Sequence, residues 1–298
     1  MLYNRRDFTK AKSIMKIVLS LALLLVFSVT ALAQSRQKAV EAYNQGLTLQ
    51  RRGMLKEAVA AYDIAIQNDP KMLDAYNNRA NIKLELGDKD GALADLTNAV
   101  EATSGHALSY YNRGNLYLSL EDNDKAIADF TKAIDMLNGL TNNYDKRAHA
   151  MSHNNRGNAL SAKGDYKAAM PDYNRSLEIW PKSLEALTSR GAAFQQLGDH
   201  KAAVADYTLA LEIAPKNTLV LNNRASALEE IDKNASILDY TALIALTPDN
   251  ANAYARRGLM FLELKRKAEA AADLRKAIAL DPTLKAEYGE FLALASGK

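Results

Sequence analysis

The sequence predicts an all-α chain of stacked helix pairs, and three observations carry that prediction. Alanine, glycine, aspartate and proline recur about every 34 residues, and a fixed period of this length marks one small unit repeated along the chain. Within each unit, apolar residues fall at i, i+3, i+4 and i+7, the spacing of one helical face. A short turn splits each unit, and a proline closes most of them, because proline cannot continue the helical hydrogen-bond ladder.

The columns set the boundaries. Gly46, Gly114, Gly157, Gly191 and Gly258 sit late in the first half of a unit, and Pro70, Pro181, Pro215, Pro248 and Pro282 end it. Seven units follow, at about 39–72, 73–106, 107–149, 150–183, 184–217, 218–250 and 251–284. In the fifth, the first helix is expected near Leu184–Gln196, the turn at Gly198-Asp199 and the second helix near Lys201–Ile213. The glycine spacing stretches by nine between Gly114 and Gly157, which places an insertion near 138–147. It shrinks by one between Gly191 and Gly258, a loss assigned to the turn near Asp232–Asn234. A deletion inside a helix would instead rotate the apolar face by about 100°. The insertion, next to Pro171, is expected to kink the stack into 39–137 and 150–296. Residues 285–298 read as a capping helix and tail, with Tyr288, Phe291, Leu292 and Ala295 covering the last unit's apolar flank.

Residues 1–33 read as an export signal. A basic start (Arg5, Arg6, Lys10, Lys12, Lys16) precedes an apolar run from Ile17 to Val29, and Ala31-Leu32-Ala33 supplies the small side chains a signal peptidase accepts. Cleavage is expected after Ala33, leaving an exported chain that is periplasmic or secreted and not stably inserted in a membrane. Asn4-Arg5-Arg6-Asp7-Phe8-Thr9-Lys10 also resembles a twin-arginine motif. The Leu-rich run favours the Sec route, and Met15 is an alternative start. A retained signal acting as a membrane anchor is the other possibility, although the run is short for a span.

The formal charge of +3 belongs to that leader: it holds five Lys/Arg against one Asp, so the remainder carries −1. A near-neutral body excludes a general nucleic-acid binder, which needs a basic face for phosphates. The absence of cysteine excludes disulfides, thiolate metal sites and Cys nucleophiles.

The segments Tyr110–Ile134 and Arg190–Pro215, with Gly, then Ala and an aromatic, then Pro, closely resemble the tetratricopeptide repeat (TPR) family. The resemblance covers about 39–296. It implies a right-handed α-solenoid of antiparallel helix pairs with about seven units and a C-terminal cap. It also implies a concave face, lined by the first helices, that holds a peptide or partner helix. The glycine is replaced by Ala80 and Ala225, and the proline by Ser104 and Asn138.

Two asparagine columns lie on the first helices: Asn44, Asn78, Asn112, Asn155 and Asn223, and three residues later Asn81, Asn115 and Asn158. The i, i+3 spacing puts both on one face. Asparagine is a poor residue for a helix interior, since its amide competes for backbone hydrogen bonds. Its carboxamide can pair with a peptide C=O and N–H at once. The row is similar to the asparagine ladder of the TPR superhelix in O-linked N-acetylglucosamine transferases. Two readings stay open: gripping an extended polypeptide, or fixing the geometry between repeats.

Arg79, Arg113, Arg156, Arg190, Arg224 and Arg257 form a further column, matched in the second helices by Asp95, Asp129, Asp172, Asp206, Asp239 and Asp273. The first unit lacks both, with Gln45 and Ala61. Joint presence and joint absence suggest an ion pair within each unit, fixing the angle between its helices. A carboxylate clamp is not expected, because no Lys occurs among Val40, Asp74, Leu108, Met151 and Glu185 or among Tyr43, Asn77, Tyr111, Asn154 and Thr188. His149 and His153, with Asp145, have helical metal-ligand spacing, but His153 occupies a core column, so no metal or other cofactor is expected. No catalytic motif stands out. The sequence therefore points to a non-enzymatic scaffold for a protein or peptide partner. The alternative is a self-associating envelope module using convex or end surfaces.

Overall fold

The structure is a computed structural model that describes residues 5–102, 106–140 and 142–297, with backbone alone for 5–14 and 16–28. The basic start and most of the apolar run of the expected signal therefore lie outside the described side chains. Among the described residues the chain is all-helical and its helices pack in consecutive pairs. Two compact units divide it between Arg113 and Gly114.

In the first unit, α1 (Arg5–Arg51) packs on α2 (Leu55–Asn68), and α3 (Leu73–Glu85) on α4 (Lys89–Ala102). No proline or glycine interrupts the chain from Arg5 to Gln45, so α1 runs unbroken through Ala33 and through the boundary at 39. Ala42, Ala58, Tyr62, Ala65, Ala75 and Ile82 form the core there.

The boundary between units falls inside α5 (Ala107–Ser119). The second unit continues with α6 (Asn123–Leu137), α7 (Asn143–Ala162), α8 (Tyr166–Ile179), α9 (Leu184–Gln196), α10 (His200–Ile213), α11 (Thr218–Glu229), α12 (Lys233–Leu246), α13 (Ala251–Glu263) and α14 (Lys267–Leu280). A 3-10 turn at Pro282–Leu284 leads into α15 (Lys285–Ala295), whose Tyr288 and Ala295 join the core of the last pair.

The insertion differs from the sequence reading. Much of it is helix: α7 starts at Asn143, so the boundary drawn at 149/150 falls inside that helix. Asn142 caps it by accepting from the Asp145 amide at 2.8 Å, and Asp145 lies in the first turn, where a negative charge suits the helix dipole. Contacts run across the insertion within the second unit. Arg156 reaches Thr131 at 3.0 Å, Lys163 pairs with Asp124, and α6 packs on α7. Pro171 lies inside α8 with its ring exposed, and the helix continues past it to Ile179.

The local rules are plain in α9–α10. Gly191 lies under the Tyr207 ring, where an added Cβ would come within 2.7 Å of the ring. Gly198 turns the chain at φ +81°, a left-handed conformation that costs glycine little. Asp199 then caps α10 by accepting from the Ala202 amide at 3.0 Å. The one-residue loss in the sixth unit falls at this same junction. Helix α11 has 12 residues against 13 in α9, and α12 begins without a left-handed residue before it. Asp232 accepts from both Asn234 (3.0 Å) and Ala235 (3.1 Å) amides.

Candidate functional site

The arginine column builds the frame on which the first-helix faces stand. Arg190 donates from Nε and Nη2 to the two oxygens of Asp206, both at 2.8 Å. Arg224 does so with Asp239 at 2.7 Å and 2.7 Å. Arg257 binds Asp273 at 2.7 and 2.9 Å, and Arg156 binds Asp172 at 2.8 and 2.7 Å. In the second repeat Arg79 binds Asp95 at 2.8 and 2.5 Å. Such two-pronged pairs combine charge with fixed orientation. Arg113 lies 5.8 Å from the Tyr110 ring centroid, and Asp129 is buried in α6.

Five of these guanidinia, those of Arg79, Arg156, Arg190, Arg224 and Arg257, have a third contact that the sequence reading missed. Nη1 reaches back to the second helix of the preceding repeat: Arg79 to Asp63 at 2.5 Å, Arg156 to Thr131 at 3.0 Å and Arg190 to Asn174 at 2.8 Å. Arg224 reaches Thr208 at 3.2 Å, and Arg257 reaches Thr241 at 2.9 Å. One arginine thus ties three helices. A signal was present: a threonine follows the aspartate by two in Asp129-Phe130-Thr131, Asp206-Tyr207-Thr208 and Asp239-Tyr240-Thr241.

A second missed network lies one turn away. Tyrosines of the second helices bond to the first helices of their own repeats: Tyr62 to Gln50 at 2.9 Å, Tyr173 with Ser161 at 2.9 Å, Tyr207 to Gln195 at 3.3 Å and Tyr240 to Glu229 at 2.6 Å. Where the tyrosine becomes Leu96, Phe130 or Leu274, the partner position is Leu84, Leu118 or Leu262. A buried hydroxyl needs a partner, and an apolar side chain needs none. Burial, then the charge of Asp206, pushes the Tyr207 phenol up to about 12. Burial and the Glu229 carboxylate raise Tyr240 as well.

The asparagines divide by environment. Asn44 and Asn81 are exposed, and Asn78, Asn112, Asn115, Asn155, Asn158 and Asn223 are half-buried. Several amides make contacts within the protein. Asn78 donates to the Tyr43 hydroxyl at 3.2 Å, Asn155 to Asn115 Oδ1 at 2.8 Å, and Asn158 Oδ1 accepts from Tyr173 at 3.0 Å. Two of these bonds, at Asn78 and Asn155, join consecutive repeats. At the same position in the seventh repeat, Arg256 binds the buried Glu229, with Nε at 2.9 Å from Oε1.

The His149 and His153 rings lie with centroids 4.9 Å apart, tilted by 40°. His153 Nδ1 lies 2.8 Å from Asp172 Oδ1. Burial opposes ionisation of Asp172, yet the bonds from His153 and Arg156 outweigh it and hold its pKa low. Burial, followed by the neighbouring His153 and Arg175, lowers His149. Among the described residues, no group of three His, Cys, Asp or Glu side chains could hold a metal ion, and no helix is long and apolar enough to cross a membrane.

Family models described as tetratricopeptide repeat match residues 105–182 and 148–216 and, for a second model, 43–107 and 226–284. Tetratricopeptide repeat protein 36 of Danio rerio is 38% identical over 65 residues, 22% of this chain and 35% of that protein. The match thus spans about a third of that relative's length. A tetratricopeptide repeat protein of Parabacteroides merdae has a similar structure, with a TM-score of 0.60 at 21% identity over 87% of this chain and 99% of that one. PilF of Pseudomonas aeruginosa is similar at a TM-score of 0.61 and 15% identity, over 78% of this chain and 99% of that one. At these identities the structural likeness is one of fold.

Proposed function

Because the chain belongs to the tetratricopeptide repeat family, whose domains bind protein partners, we propose that it is a non-enzymatic scaffold holding an extended polypeptide along the asparagine-lined faces of its first helices. The observation supporting this is the amide array. In the second unit, Asn115, Asn155, Asn158 and Asn223 stand half-buried on three first helices, α5, α7 and α11, with α9 between the last two carrying Ser189 and Ala192 instead. The Asn155–Asn115 bond fixes amide orientation before any ligand arrives, and such preorganisation reduces the ordering cost of binding. In the first unit, Asn44 and Asn81 offer exposed amides. A carboxamide reads backbone N–H and C=O together, so recognition would tolerate varied side chains.

The test is partner binding by Asn81→Ala and Asn112→Ala variants, with melting temperature and helicity as controls. Weaker binding at unchanged melting supports the reading. Undiminished binding moves the site off this face.

A second reading, self-association, is favoured by one observation. Leu209 and Ile213 of α10 and Leu238 and Leu246 of α12 are all exposed, Leu238 to 70%. Exposed apolar residues on neighbouring second helices can mark an interaction surface where they form one patch.

We also propose export with cleavage after Ala33. That cut would leave Gln34–Arg51 as the first helix of the first pair. N-terminal sequencing of the exported protein should begin at Gln34, and an intact Met1 or Met15 terminus would mean a retained segment.

A further inference from the structure

A cavity of about 320 Å³ opens between the fourth and fifth repeats, lined among others by Asn158, Ser161, Tyr173, Ser189, Ala192 and Gln196. Its origin is legible in the columns. Where the fourth repeat has Asn155 and Asn158, the fifth has Ser189 and Ala192. Two carboxamides are missing from one wall, and the space they would fill is the cavity.

The floor has a fixed polarity. Tyr173 has one hydroxyl proton and donates it to Asn158 Oδ1 at 3.0 Å. Its 2.9 Å contact with Ser161 must then run the other way, with Ser161 donating. Asn158 therefore turns Nδ2 away from the tyrosine, and Ser161 keeps only lone pairs to offer. A donor and an acceptor stand on either side of the same phenol. None of the lining residues carries a charge.

We propose that this cavity takes an uncharged carboxamide, the side chain of a glutamine or asparagine in a bound polypeptide. Its C=O accepts from Asn158 Nδ2, and its N–H donates to Ser161 Oγ. A carboxylate or ammonium would be desolvated there without a counter-charge. An apolar side chain would leave Asn158 and Ser161 without ligand partners. As a statement about polypeptide ligands, this rests on the first-helix reading above and gives it a side-chain preference.

The test uses the full chain, labelled with nitrogen-15, and three probes: N-acetylglutamine N-methylamide and its glutamate and norleucine counterparts. The expected result is a saturable shift of the Asn158 side-chain NH₂ signals with the glutamine probe, and affinity at least ~10-fold weaker for the other two. Ala192→Asn and Ser189→Asn restore side chains that sister repeats carry at the same positions, so they should fold, fill the cavity and abolish the response. An equal response to glutamate or norleucine, no saturable shift, or a response surviving in Ala192→Asn would overturn the proposal. Partner binding that ignores the Asn81 and Asn112 variants while Asn158 still answers the glutamine probe would remove the groove and keep the cavity. The opposite pattern would do the reverse.

Discussion

The junction between the fourth and fifth repeats and the junction between the sixth and seventh share one backbone plan and differ in chemistry. Both set a second-helix tyrosine beneath the meeting of two first helices. At the earlier junction Tyr173 bonds to Ser161 and Asn158, and Ser189 and Ala192 leave a neutral cavity. At the later one Tyr240 bonds to Glu229, and Arg256, in the place of Ser189, binds Glu229 with two nitrogens. The junction between them is intermediate, with Gln195 donating to Ser226 at 3.1 Å. Two side chains per repeat thus decide whether the same socket is open, bridged by neutral hydrogen bonds or closed by an ion pair.

If the arginine frame holds these sockets in register, breaking it should have the largest effect. Arg190→Ala leaves Asp206, only 4% exposed, without its two bonds and frees Asn174 of the neighbouring repeat. A loss of about 3–5 kcal/mol in denaturant unfolding is expected, the usual result of stripping one partner from a buried pair. Arg256→Ala should cost less, about 2 kcal/mol, because its side chain is 42% exposed and water screens the pair, while Tyr240 still donates to Glu229.

The comparison can be sharpened by transplanting the later chemistry into the earlier socket. Ser161→Glu alone should destabilise by about 1–3 kcal/mol, as a half-buried carboxylate beside Tyr173 without a cation. Adding Ser189→Arg should recover most of that loss and close the cavity to the glutamine probe. A double-mutant cycle reads the coupling directly. Additive effects would mean that the two sockets are not equivalent.

A smaller effect is expected from His149. Its ring is buried against His153, with Arg175 acting on it; His153 in turn bonds to Asp172 of α8, which Arg156 also binds, and Asp145 lies one turn earlier on the same helix. Its folded pKa is depressed, so below about pH 6.5 the unfolded chain takes the proton that the folded chain refuses. The neutral ring's contribution is therefore intact above that pH and lost as pH falls through the folded value. Thermal melts from pH 7.5 to 5 should decline for the wild type and flatten in His149→Met. Parallel curves would assign the acid sensitivity elsewhere.

The helix pairs were legible because their signals are local. The Gly198-Asp199 turn and the prolines at the unit ends act within a few residues, and the 34-residue period repeats them, while Gly191 beneath Tyr207 of the next helix joins the two helices of one pair. The insertion was legible as extra length but not as helix, since its start depends on the single Asn142 cap. The arginine and aspartate columns stood out, yet the third contact of Arg224 runs to Thr208 of the preceding repeat, a relation that needs the stacking geometry. The cavity was least legible. It consists of what Ser189 and Ala192 do not fill, opposite a tyrosine whose own bonds decide the polarity of the floor.

Site-specific photo-crosslinking tests the proposed function most directly, with p-benzoylphenylalanine placed in turn at Asn81 on a first helix and at Leu238 on a second, both exposed. The account predicts a heterologous protein adduct at Asn81 that is weakened by Asn112→Ala, and none at Leu238. Adducts confined to Leu238, above all between two copies of the chain, would contradict it.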